Sequence, residues 1–428
     1  MKVLVVGSGG REHAIIKKLK SNPTITEVFA APGNGGISFD ATCIDIKPNE
    51  LDKIVDFCKL QSMDYVVVAP DEPLVLGLVD KLSDANIPSF GPTAAAAAIE
   101  GSKVFSKNLM KKYKIPTAAY EVFDSAHAAC EYIKANTKYP LVIKADGLAL
   151  GKGVLICQNE EEALAAVQSI MQDKKFGASG NSIVIEEFLV GVEVSVLCFT
   201  DGKTMVPMVS SMDHKRALDG DKGLNTGGMG AIAPNPFYTE DLAKSCMQRI
   251  FIPTMNAMNE ENRRFRGCLY FGLILTTTGP KVIEYNCRFG DPETQVVLPL
   301  LESDLFTVMQ AVSSGKLANV EVKFSDKKSA CVILASKGYP EKYEVDKRIT
   351  GLVSGEVRGV AGTCAYHAGT RLLGRELLTS GGRVLGITAI ASTLPQAIEN
   401  AYAAANTVSF DGMHMRTDIG KLALKARV

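Results

Sequence analysis

The sequence predicts a multidomain protein of mixed α/β and α+β class, with an N-terminal parallel βαβ domain and a small C-terminal α+β domain. Its 428 residues are too many for one ordinary hydrophobic core. Residues 1–90 alternate short apolar runs with helical segments, which is typical of a parallel sheet with helices on both faces. Several later apolar runs end in glycine-rich or acidic segments, so we expect several packed units with a polar site at strand ends.

The bulk composition indicates a globular protein that acts on small molecules. Hydrophobic residues make up 46% of the chain and charged residues 22%, and 47 basic residues balance 47 acidic ones. Because no net charge attracts nucleic acid or an anionic membrane, we expect neither partner. No apolar run reaches membrane-spanning length. The ten cysteines are scattered without a Cys-x-x-Cys pair, which predicts free thiols in the cytoplasm and no zinc site.

Apolar periodicity defines the elements of the first domain. The predicted strands are 3–6, 27–30 and 65–69, and the predicted helices are 12–20, 51–60 and 75–85. An alanine-rich connecting helix follows at 94–100. We place this N-terminal domain at residues 1–102.

The rest of the chain divides into three further units, which we place at 103–190, 191–325 and 326–428. The second unit is predicted to contain strands 141–144 and 183–187 and helix 160–171. The third and fourth are predicted to contain strands 193–199, 269–276, 282–287 and 329–335. No repeat or low-complexity linker separates these units, so we expect one packed body.

A glycine-rich turn, Gly7-Ser8-Gly9-Gly10-Arg11-Glu12-His13, follows the first strand. It opens a helix, where backbone N–H groups and the helix dipole favour an anion. Glu12 stands where a dinucleotide fingerprint requires its third glycine, which argues against NAD. We predict that the turn holds a single phosphate with the help of Arg11. A plain tight turn is the alternative.

A second glycine-rich segment, Asp146-Gly147-Leu148-Ala149-Leu150-Gly151-Lys152-Gly153, follows the strand that ends at Lys144. It is not a P-loop, because Gly147 and Gly151 are too close and Gly153 stands where Ser or Thr would bind Mg²⁺. We predict a strand-to-strand lid over a triphosphate, with Lys144 reaching the phosphates from below. A solvated hairpin turn is the alternative.

Two further polar segments suit a nucleotide and an anionic substrate. Glu186 ends a strand, where it can accept from the amino group of adenine, and Glu193 can accept from ribose hydroxyls. Asp213-His214-Lys215-Arg216 and Asn225-Thr226-Gly227-Gly228-Met229-Gly230 supply basic side chains and N–H donors for an anion. The alternatives are a surface pair of acids and an ordinary charged loop.

The last predicted strand of the third unit carries the most informative residues. Alternation puts Glu284 and Asn286 on one face and Ile283 and Tyr285 on the other. A carboxylate and an amide oxygen suit Mg²⁺, which is usually held by one or two carboxylates plus phosphates. Arg288 follows as a fixed cation for phosphate or carboxylate. A strand end with a solvated polar turn is the alternative.

The order of these motifs resembles the ATP-grasp fold and implies that fold for the two central units. The resemblance rests on Gly-Ser-Lys at 101–103, Ile-Lys-Ala-Asp-Gly at 143–147, Val-Ile-Glu-Glu-Phe-Leu at 184–189 and Val-Ile-Glu-Tyr-Asn at 282–286. Within that superfamily the chain resembles the glycinamide ribonucleotide synthetase family. The segments that carry this second resemblance are 9–13, 31–34, 213–216, 225–231, 286–295, 367–370 and 381–384.

The resemblance implies a ligase of purine biosynthesis that uses ATP and Mg²⁺ or Mn²⁺ to join glycine to 5-phosphoribosylamine. The implied ATP contacts are Lys103, Lys144, Gly151, Gly153, Glu186, Phe188, Leu189 and Glu193. The implied metal ligands are Glu284 and Asn286, and the implied catalytic residues are Asp213, Lys215 and Arg288. The implied substrate contacts are Gly9, Gly10, Arg11, Gly33, Asn34, Thr226, Gly227, Gly228, Gly230 and Asp291.

Three other functions compete with this expectation. A different ATP-grasp ligase or carboxylase would share the nucleotide motifs but not the segments at 9–13 and 214–216 together. A nicotinamide-dependent oxidoreductase is disfavoured by the missing third glycine, and a non-catalytic nucleotide sensor could have lost Glu284 or Asn286. We expect a monomer, with a dimer as the alternative. Because the chain ends at Val428, we also expect a single activity.

Overall fold

The structure is a computed structural model that describes residues 1–148 and 153–426. Its parallel and antiparallel sheets confirm the predicted α/β and α+β class. The predicted ATP contact Gly151 lies outside the described residues. None of the helices in the described ranges has the length and apolar character needed to cross a membrane.

The N-terminal part forms a five-stranded parallel sheet in the order β3-β2-β1-β4-β5. Its strands are β1 (Lys2–Gly7), β2 (Glu27–Pro32), β3 (Thr42–Cys43), β4 (Tyr65–Val68) and β5 (Ser89–Phe90). Its helices are α1 (Gly10–Leu19), α2 (Leu51–Leu60), α3 (Asp71–Val75), α4 (Leu78–Asp84) and α5 (Ala94–Gly101). The residues from Val3 to Val6 are fully buried, because packed side chains cover both faces of the sheet. The single helix predicted at 75–85 is wrong, since Gly77 adopts a φ of +90° between α3 and α4.

The second unit is a four-stranded antiparallel sheet in the order β6-β9-β7-β8. Its elements are α6 (Lys103–Lys112), β6 (Tyr120–Phe123), α7 (Ala126–Ala135), β7 (Leu141–Ala145), β8 (Val154–Cys157), α8 (Glu160–Val167) and β9 (Ile183–Glu187). Ile143, Ile170 and Ile185 belong to its separate hydrophobic core. The segment after Lys144 connects two adjacent antiparallel strands, which is the predicted strand-to-strand connection. A π-helical turn, Gln168–Gln172, extends α8.

The third unit contains a four-stranded antiparallel sheet in the order β11-β10-β16-β17. The strands of this part of the chain are β10 (Val192–Thr200), β11 (Met205–Pro207), β12 (Met212–Asp213), β13 (Arg216–Leu218), β14 (Lys222–Asn225), β15 (Gly230–Ala233), β16 (Gly267–Thr276) and β17 (Gly279–Asn286). Its helices are α9 (Glu240–Cys246), α10 (Ile252–Glu260), α11 (Thr294–Val297) and α12 (Leu305–Ser314). Val196 and Phe271 share a core with Leu4 and Val66, so this sheet packs against the N-terminal domain.

The C-terminal unit is built on a six-stranded sheet in the order β12-β15-β18-β22-β19, with β23 paired to β18. Its elements are β18 (Lys328–Ser336), β19 (Thr363–His367), β20 (Thr370–Leu373), β21 (Glu376–Thr379), β22 (Arg383–Ala391), α13 (Leu394–Ala405) and β23 (Met413–His414). Because β12 and β15 precede residue 325, this sheet crosses the boundary predicted at 325/326. The limits of the four domains stay predictions. Short 3₁₀ turns lie at Ile37–Phe39, Gly177–Gly180, Leu298–Leu300, Leu317–Asn319 and Ala423–Lys425.

Candidate active site

A β-bulge at Ile283 interrupts the pairing of β17 with β16. The extra residue shifts the side-chain alternation by one position. Val282 and Tyr285 are therefore both buried in the core shared with the N-terminal domain, whereas Ile283 is partly exposed. The predicted placement of Ile283 with Tyr285 on one face is wrong for this reason.

Glu284 and Asn286 lie on the opposite face of β17, beyond the bulge. Both are partly exposed, so a ligand can reach them. Gly272 faces Glu284 across the sheet, and a Cβ added there would lie 3.0 Å from the Glu284 Cγ. The glycine leaves space for the carboxylate, and the strand presents two oxygen donors side by side.

Lys215 lies between two carboxylates of the site. Its Nζ is 3.2 Å from the Glu193 carboxylate and 3.5 Å from that of Glu284. The charge of Glu193, followed by that of Glu284, holds the pKa of Lys215 well above its usual range against the effect of burial. Burial raises the pKa of Glu284, but the nearby cations Lys215, Lys144 and Lys103 outweigh it and leave the pKa lowered. Glu284 is therefore ionised at neutral pH.

Two buried lysines flank the carboxylate of Glu186. Glu186 is 4% exposed, and it forms ion pairs with Lys107 Nζ at 2.5 Å and with Lys144. Lys144 also donates to the C=O of Ile283 at 3.2 Å, and Lys107 donates to Thr117 Oγ1 at 2.8 Å. The Glu186 carboxylate is thus engaged by two ammonium groups, and its predicted contact with the adenine amino group stays a prediction.

Lys103 lies at the start of α6, close to the glycine-rich segment. Its Nζ donates to the C=O of Gly147 at 2.7 Å, and burial lowers its pKa. The carboxylate of Asp146 accepts from Ser102 Oγ at 3.0 Å, which ties the segment to the N-cap of α6. Gly153 continues this connection through its C=O, which accepts from Ala145 N at 2.9 Å.

The two predicted adenine contacts beyond β9 are accessible. Phe188 is 39% exposed and Leu189 is partly exposed. Exposed apolar side chains at a strand end offer a surface for a flat aromatic base. The structure therefore leaves both residues available at the end of the sheet that carries Lys144 and Glu186.

Both terminal nitrogens of Arg288 are bonded within the protein. One terminal nitrogen donates to Glu100 Oε1 at 3.0 Å and lies 3.6 Å from Asp71 Oδ2. The other donates to Asn286 Oδ1 at 3.1 Å and to the C=O of Phe289 at 3.3 Å. Its Nε is buried and has no partner among the described residues. The guanidinium is therefore held rigidly beside the predicted metal ligand.

Asp291 lies where the N-terminal, central and C-terminal units meet. Its carboxylate accepts from Gln295 Nε2 at 2.7 Å and pairs with Arg383 Nη2 of β22 at 3.2 Å. Arg383 also donates to the C=O groups of Gly227 at 2.5 Å and of Asp291 at 2.9 Å. A Cβ on Gly9 would lie 3.3 Å from Asp291 Oδ2, so the N-terminal turn approaches this carboxylate closely.

In the N-terminal turn, Glu12 occupies part of the predicted phosphate loop. Its carboxylate accepts from the Gly9 N–H and from Arg11 Nε, both at 2.6 Å. Arg11 also donates to the C=O of Phe289 at 3.2 Å. A Cβ on Gly10 would meet Gln295 Nε2 at 2.6 Å, so this glycine allows close packing against the central unit. The N-terminal turn is thus joined directly to the segment that follows β17.

Asp213 and Glu293 bring two acids into a closely packed region. Asp213 Oδ1 is buried and accepts no hydrogen bond within the described residues. Burial, followed by the charge of Glu293, raises the pKa of Asp213 well above its usual range. Glu293 is 3% exposed and accepts from Ser195 Oγ and Tyr270 OH, each at 3.1 Å. A Cβ on Gly228 would lie 2.6 Å from Asp213 Oδ1, which explains a glycine at this position.

The remaining threonine and glycines of the predicted substrate set lie in hydrogen-bonded or closely packed loops. Thr226 Oγ1 donates to the C=O of Lys215 at 2.8 Å, and the Gly230 C=O accepts from His214 N at 2.9 Å. Gly33 has a φ of +72°, and a Cβ there would lie 2.4 Å from Cys43 Sγ. These residues shape the loops, and their contacts with a substrate stay predictions.

Three predicted contributions of side chains are corrected by the geometry. Asn34 donates to the C=O groups of Ser8 and His367, both at 2.8 Å, so neither of its amide N–H groups is left for a substrate. His214 is buried, with its ring between Gly230 O and Gly420 N. Arg216 donates to the C=O of Gly223 at 2.8 Å. Of the three basic residues at 214–216, Lys215 contacts the site carboxylates.

The donor set at β17 fits a divalent cation that completes its shell with phosphates. In the described part of the chain, no cluster of three or more His, Cys, Asp and Glu residues could hold a metal. Glu284 and Asn286 supply two hard oxygens, and the Asn286 oxygen is oriented by a hydrogen bond from Arg288 Nη1 at 3.1 Å. Mg²⁺ is usually bound by one or two carboxylates plus nucleotide phosphates, so two protein ligands suffice.

Comparison with known proteins then identifies the family. The phosphoribosylglycinamide synthetase N, ATP-grasp (A) and C domains match residues 1–100, 101–294 and 329–422. The chain belongs to the phosphoribosylglycinamide synthetase family. A phosphoribosylamine–glycine ligase from Rhodopirellula baltica is 46% identical over 99% of this chain and 98% of its own. The crystal structure of a phosphoribosylamine–glycine ligase from Thermotoga maritima is 34% identical, with a TM-score of 0.85 over 98% of this chain and 100% of its own.

This membership confirms the predicted family and its class as a ligase. The predicted ATP-grasp fold is confirmed as well. The biotin carboxylase domain of 2-oxoglutarate carboxylase from Hydrogenobacter thermophilus, solved with MgADP, gives a TM-score of 0.74 at 16% identity. It covers 97% of this chain and 91% of its own, and at that identity it supports the fold alone.

Sequence reasoning missed three residues that contact the predicted site residues. Lys107 follows Lys103 by one helical turn on α6, so the i, i+4 spacing was the available signal. Arg383 donates a hydrogen bond to the C=O of Asp291, which lies 92 residues earlier in the chain. Nothing near Arg383 in the sequence indicates that contact. Glu100 ends a helix that the sequence marks as a simple connector, yet it is buried against Arg288.

Proposed function

We propose that this protein joins glycine to 5-phosphoribosylamine at the expense of ATP, forming glycinamide ribonucleotide, ADP and phosphate. The observation that carries the proposal is the arrangement around β17. An ionised carboxylate and an oriented amide oxygen, Glu284 and Asn286, lie beside the cations Lys215 and Lys144. That arrangement suits a nucleotide triphosphate with a divalent cation. The family supports the identity of the other two substrates.

The reaction needs two displacements. An oxygen of the glycine carboxylate attacks the γ-phosphorus of ATP, the bond to the β–γ bridging oxygen breaks, and ADP leaves. The amine nitrogen of 5-phosphoribosylamine then attacks the carbonyl carbon of glycyl phosphate. The bond from that carbon to the phosphate oxygen breaks, phosphate leaves, and the nitrogen loses a proton to water. Both steps collect negative charge on oxygen, so fixed cations lower the barrier without a covalent enzyme nucleophile.

We assign ATP to the region between the second and third units. Lys103 and Lys144 bind phosphate oxygens, and the backbone of Gly153 is a further contact to ATP. The remaining contacts to adenine and ribose are Glu186, Phe188, Leu189 and Glu193. Glu284 and Asn286 hold Mg²⁺ or Mn²⁺, which when bound neutralises charge on the β- and γ-phosphates.

We assign the other two substrates to the junction of the three units. Lys215 and Arg288 stabilise the developing negative charge, and Asp213 orients the bound glycine. The phosphoribosylamine lies against backbone groups of the N-terminal turn and of the 226–230 loop. The full set of these contacts is Gly9, Gly10, Arg11, Gly33, Thr226, Gly227, Gly228, Gly230 and Asp291, with Asn34 acting only through its backbone.

The protein acts on small molecules, and we propose a monomer in the cytoplasm. The ten cysteines support that compartment, since all of them are free and burial raises the pKa of nine. A dimer is the alternative, and sedimentation of the purified protein distinguishes the two.

The test is ADP release by purified protein with Mg-ATP, glycine and freshly generated 5-phosphoribosylamine, with each component omitted in turn. We expect turnover only with all three, and a loss of about 10²–10³-fold in kcat for Glu284→Gln, which removes one positioned charge. Glu187→Gln is the matched control, because this half-exposed carboxylate pairs with Lys281 at 3.2 Å on the rim. ATP turnover that ignores glycine and the amine would falsify the substrate assignment.

A further inference from the structure

Glu100 is a buried carboxylate that lies between the end of β17 and the start of α6. It is the second-last residue of α5 and lies two residues before Ser102, the N-cap of α6. It is 8% exposed. Its Oε2 accepts from the Cys287 N–H at 2.7 Å, and its Oε1 accepts from Arg288 Nη2 at 3.0 Å. Both carboxylate oxygens thus hold the two residues that follow Asn286.

Arg288 passes this restraint on to the amide of Asn286. Its Nη1 donates to Asn286 Oδ1 at 3.1 Å, while Asn286 Nδ2 donates to the C=O of Tyr285 at 2.7 Å. The two bonds define which end of the amide is oxygen and how it is turned. A carbonyl-type oxygen accepts two hydrogen bonds or ligand contacts, so one lone pair of Oδ1 stays available for a cation.

The charge of Glu100 matters as well as its shape. Arg288 places a full positive charge beside the proposed cation site, where it opposes a second cation. Glu100 at 3.0 Å and Asp71 at 3.6 Å from the same nitrogen compensate that charge. Glu100 is the closer and the more buried of the two acids, so it provides most of the compensation.

We propose that Glu100 is a positioning residue for the divalent cation: it holds Arg288 and Cys287 so that the Asn286 oxygen faces the metal, and it offsets the charge of Arg288. The inference rests on the proposed function for the nature of the cation site. Groups that orient metal ligands in this way typically contribute 10- to 100-fold to metal affinity.

The test measures Mn²⁺ binding in the presence of ADP by electron paramagnetic resonance, without glycine or amine. We expect Glu100→Gln to raise the Kd for Mn²⁺ about 10- to 100-fold, because glutamine keeps an acceptor for Cys287 N–H but loses the charge. ADP binding without metal is expected to change less than threefold. Glu131→Gln is the matched control, since this glutamate is exposed and pairs with Lys134 at 2.9 Å on the surface.

A double-mutant cycle separates positioning from general damage to the fold. If Glu100 acts through Arg288, the effect of Glu100→Gln on Mn²⁺ affinity shrinks in an Arg288→Met background. Additive effects, or a Kd for Mn²⁺ within twofold of the wild type, overturn the proposal. Should Glu100→Gln fail to fold, Glu100→Asp tests the positioning alone, because it keeps the charge but draws the carboxylate away from Cys287 and Arg288; an unchanged Kd for Mn²⁺ in that variant overturns the positioning role.

The outcomes also distinguish this inference from the proposed reaction. A wild-type protein that binds no Mn²⁺ with ADP refutes the cation site and the role of Glu100 together. Normal Mn²⁺ binding that weakens in Glu100→Gln supports the inference even where ADP release does not depend on glycine and the amine. In that case only the substrate assignment fails.

Discussion

Lowering the pH is expected to destabilise the junction between the N-terminal and C-terminal units through two buried histidines. His13 donates from Nε2 to Asp40 Oδ2 at 3.0 Å, while its Nδ1 accepts from the backbone N–H of His367 at 2.8 Å. The His367 Nε2 donates to the C=O of Gly355 at 2.8 Å. This network satisfies a neutral His13 and leaves no acceptor for a second proton. Burial lowers the pKa of His13 to about 3 and that of His367 to about 4.

The sign and size of the effect follow from these values. Both folded pKa values lie below the ordinary 6.5, so the unfolded chain takes up protons that the folded chain excludes. The stability contributed by the two neutral histidines is therefore fully present above pH 6.5 and is lost as the pH is lowered toward 4. Each histidine is expected to cost about 1.4 kcal/mol at pH 5.5 and about 2.6 kcal/mol at pH 4.5. Lys17, which faces the same cluster, lowers both values further, and Asp40 and Glu356 oppose it.

Urea unfolding at pH 7.0, 5.5 and 4.5 measures the effect. The non-titrating variants His13→Asn and His367→Asn are each expected to lose less unfolding free energy than the wild type between pH 7.0 and pH 4.5. The difference is expected to be about 2.6 kcal/mol, the contribution of one histidine. His127→Asn is the matched control, because His127 is exposed on α7. If the wild type and both junction variants lose stability in parallel, the histidines are not the acid-sensitive groups and the reasoning is refuted.

Three further substitutions test the packing of charged groups. Arg416→Met is expected to cost about 3–5 kcal/mol in unfolding free energy, because the guanidinium is 1% exposed and bonded to Asp221 and Asp418. Arg348→Met is the control, because Arg348 forms an exposed ion pair with Glu376. An equally small loss of stability in both variants would contradict the prediction. Lys107→Met is expected to weaken ADP binding about tenfold in calorimetry, because Lys144 alone must then neutralise Glu186. Arg383→Met is expected to raise the KM for glycine or the amine about 10- to 100-fold with ADP binding retained, since Arg383 holds Gly227 and Asp291; equal weakening of ADP binding would show that its role is not local.

Local patterns in the sequence were sufficient for much of the fold. The runs at 3–6 and 183–187 are strands because β-branched and aliphatic residues pack well in sheets, and residues 3–6 and 183–186 are buried. The helix at 75–85 failed because a glycine with φ of +90° splits it, a feature that helical periodicity does not reveal. The bulge at Ile283 is similar, since it depends on how β17 pairs with β16 and not on the order of residues in β17.

The polar residues show the same division. The order of the motifs identified Glu284, Asn286 and Lys144 as candidate site residues. In the structure, Glu284 and Asn286 lie on β17, and Lys144 donates to the C=O of Ile283 in the same strand. Asn34 belongs to an equally recognisable segment, yet its side chain is used to join two units. Whether a polar side chain faces a ligand or a neighbouring backbone depends on what packs against it, and that partner is distant in the chain.

By itself the sequence determined the fold class and the family and predicted the chemistry of the site, because strand periodicity, glycine placement and the order of motifs are local properties. Only the tertiary structure decided which charges neutralise one another. Glu100 meets Arg288 across 188 residues, and Asp291 meets Arg383 from another unit. Burial makes such partners obligatory, since an unpaired charge in a closely packed interior is costly. A sequence read alone identifies the charges, and the folded chain assigns their partners.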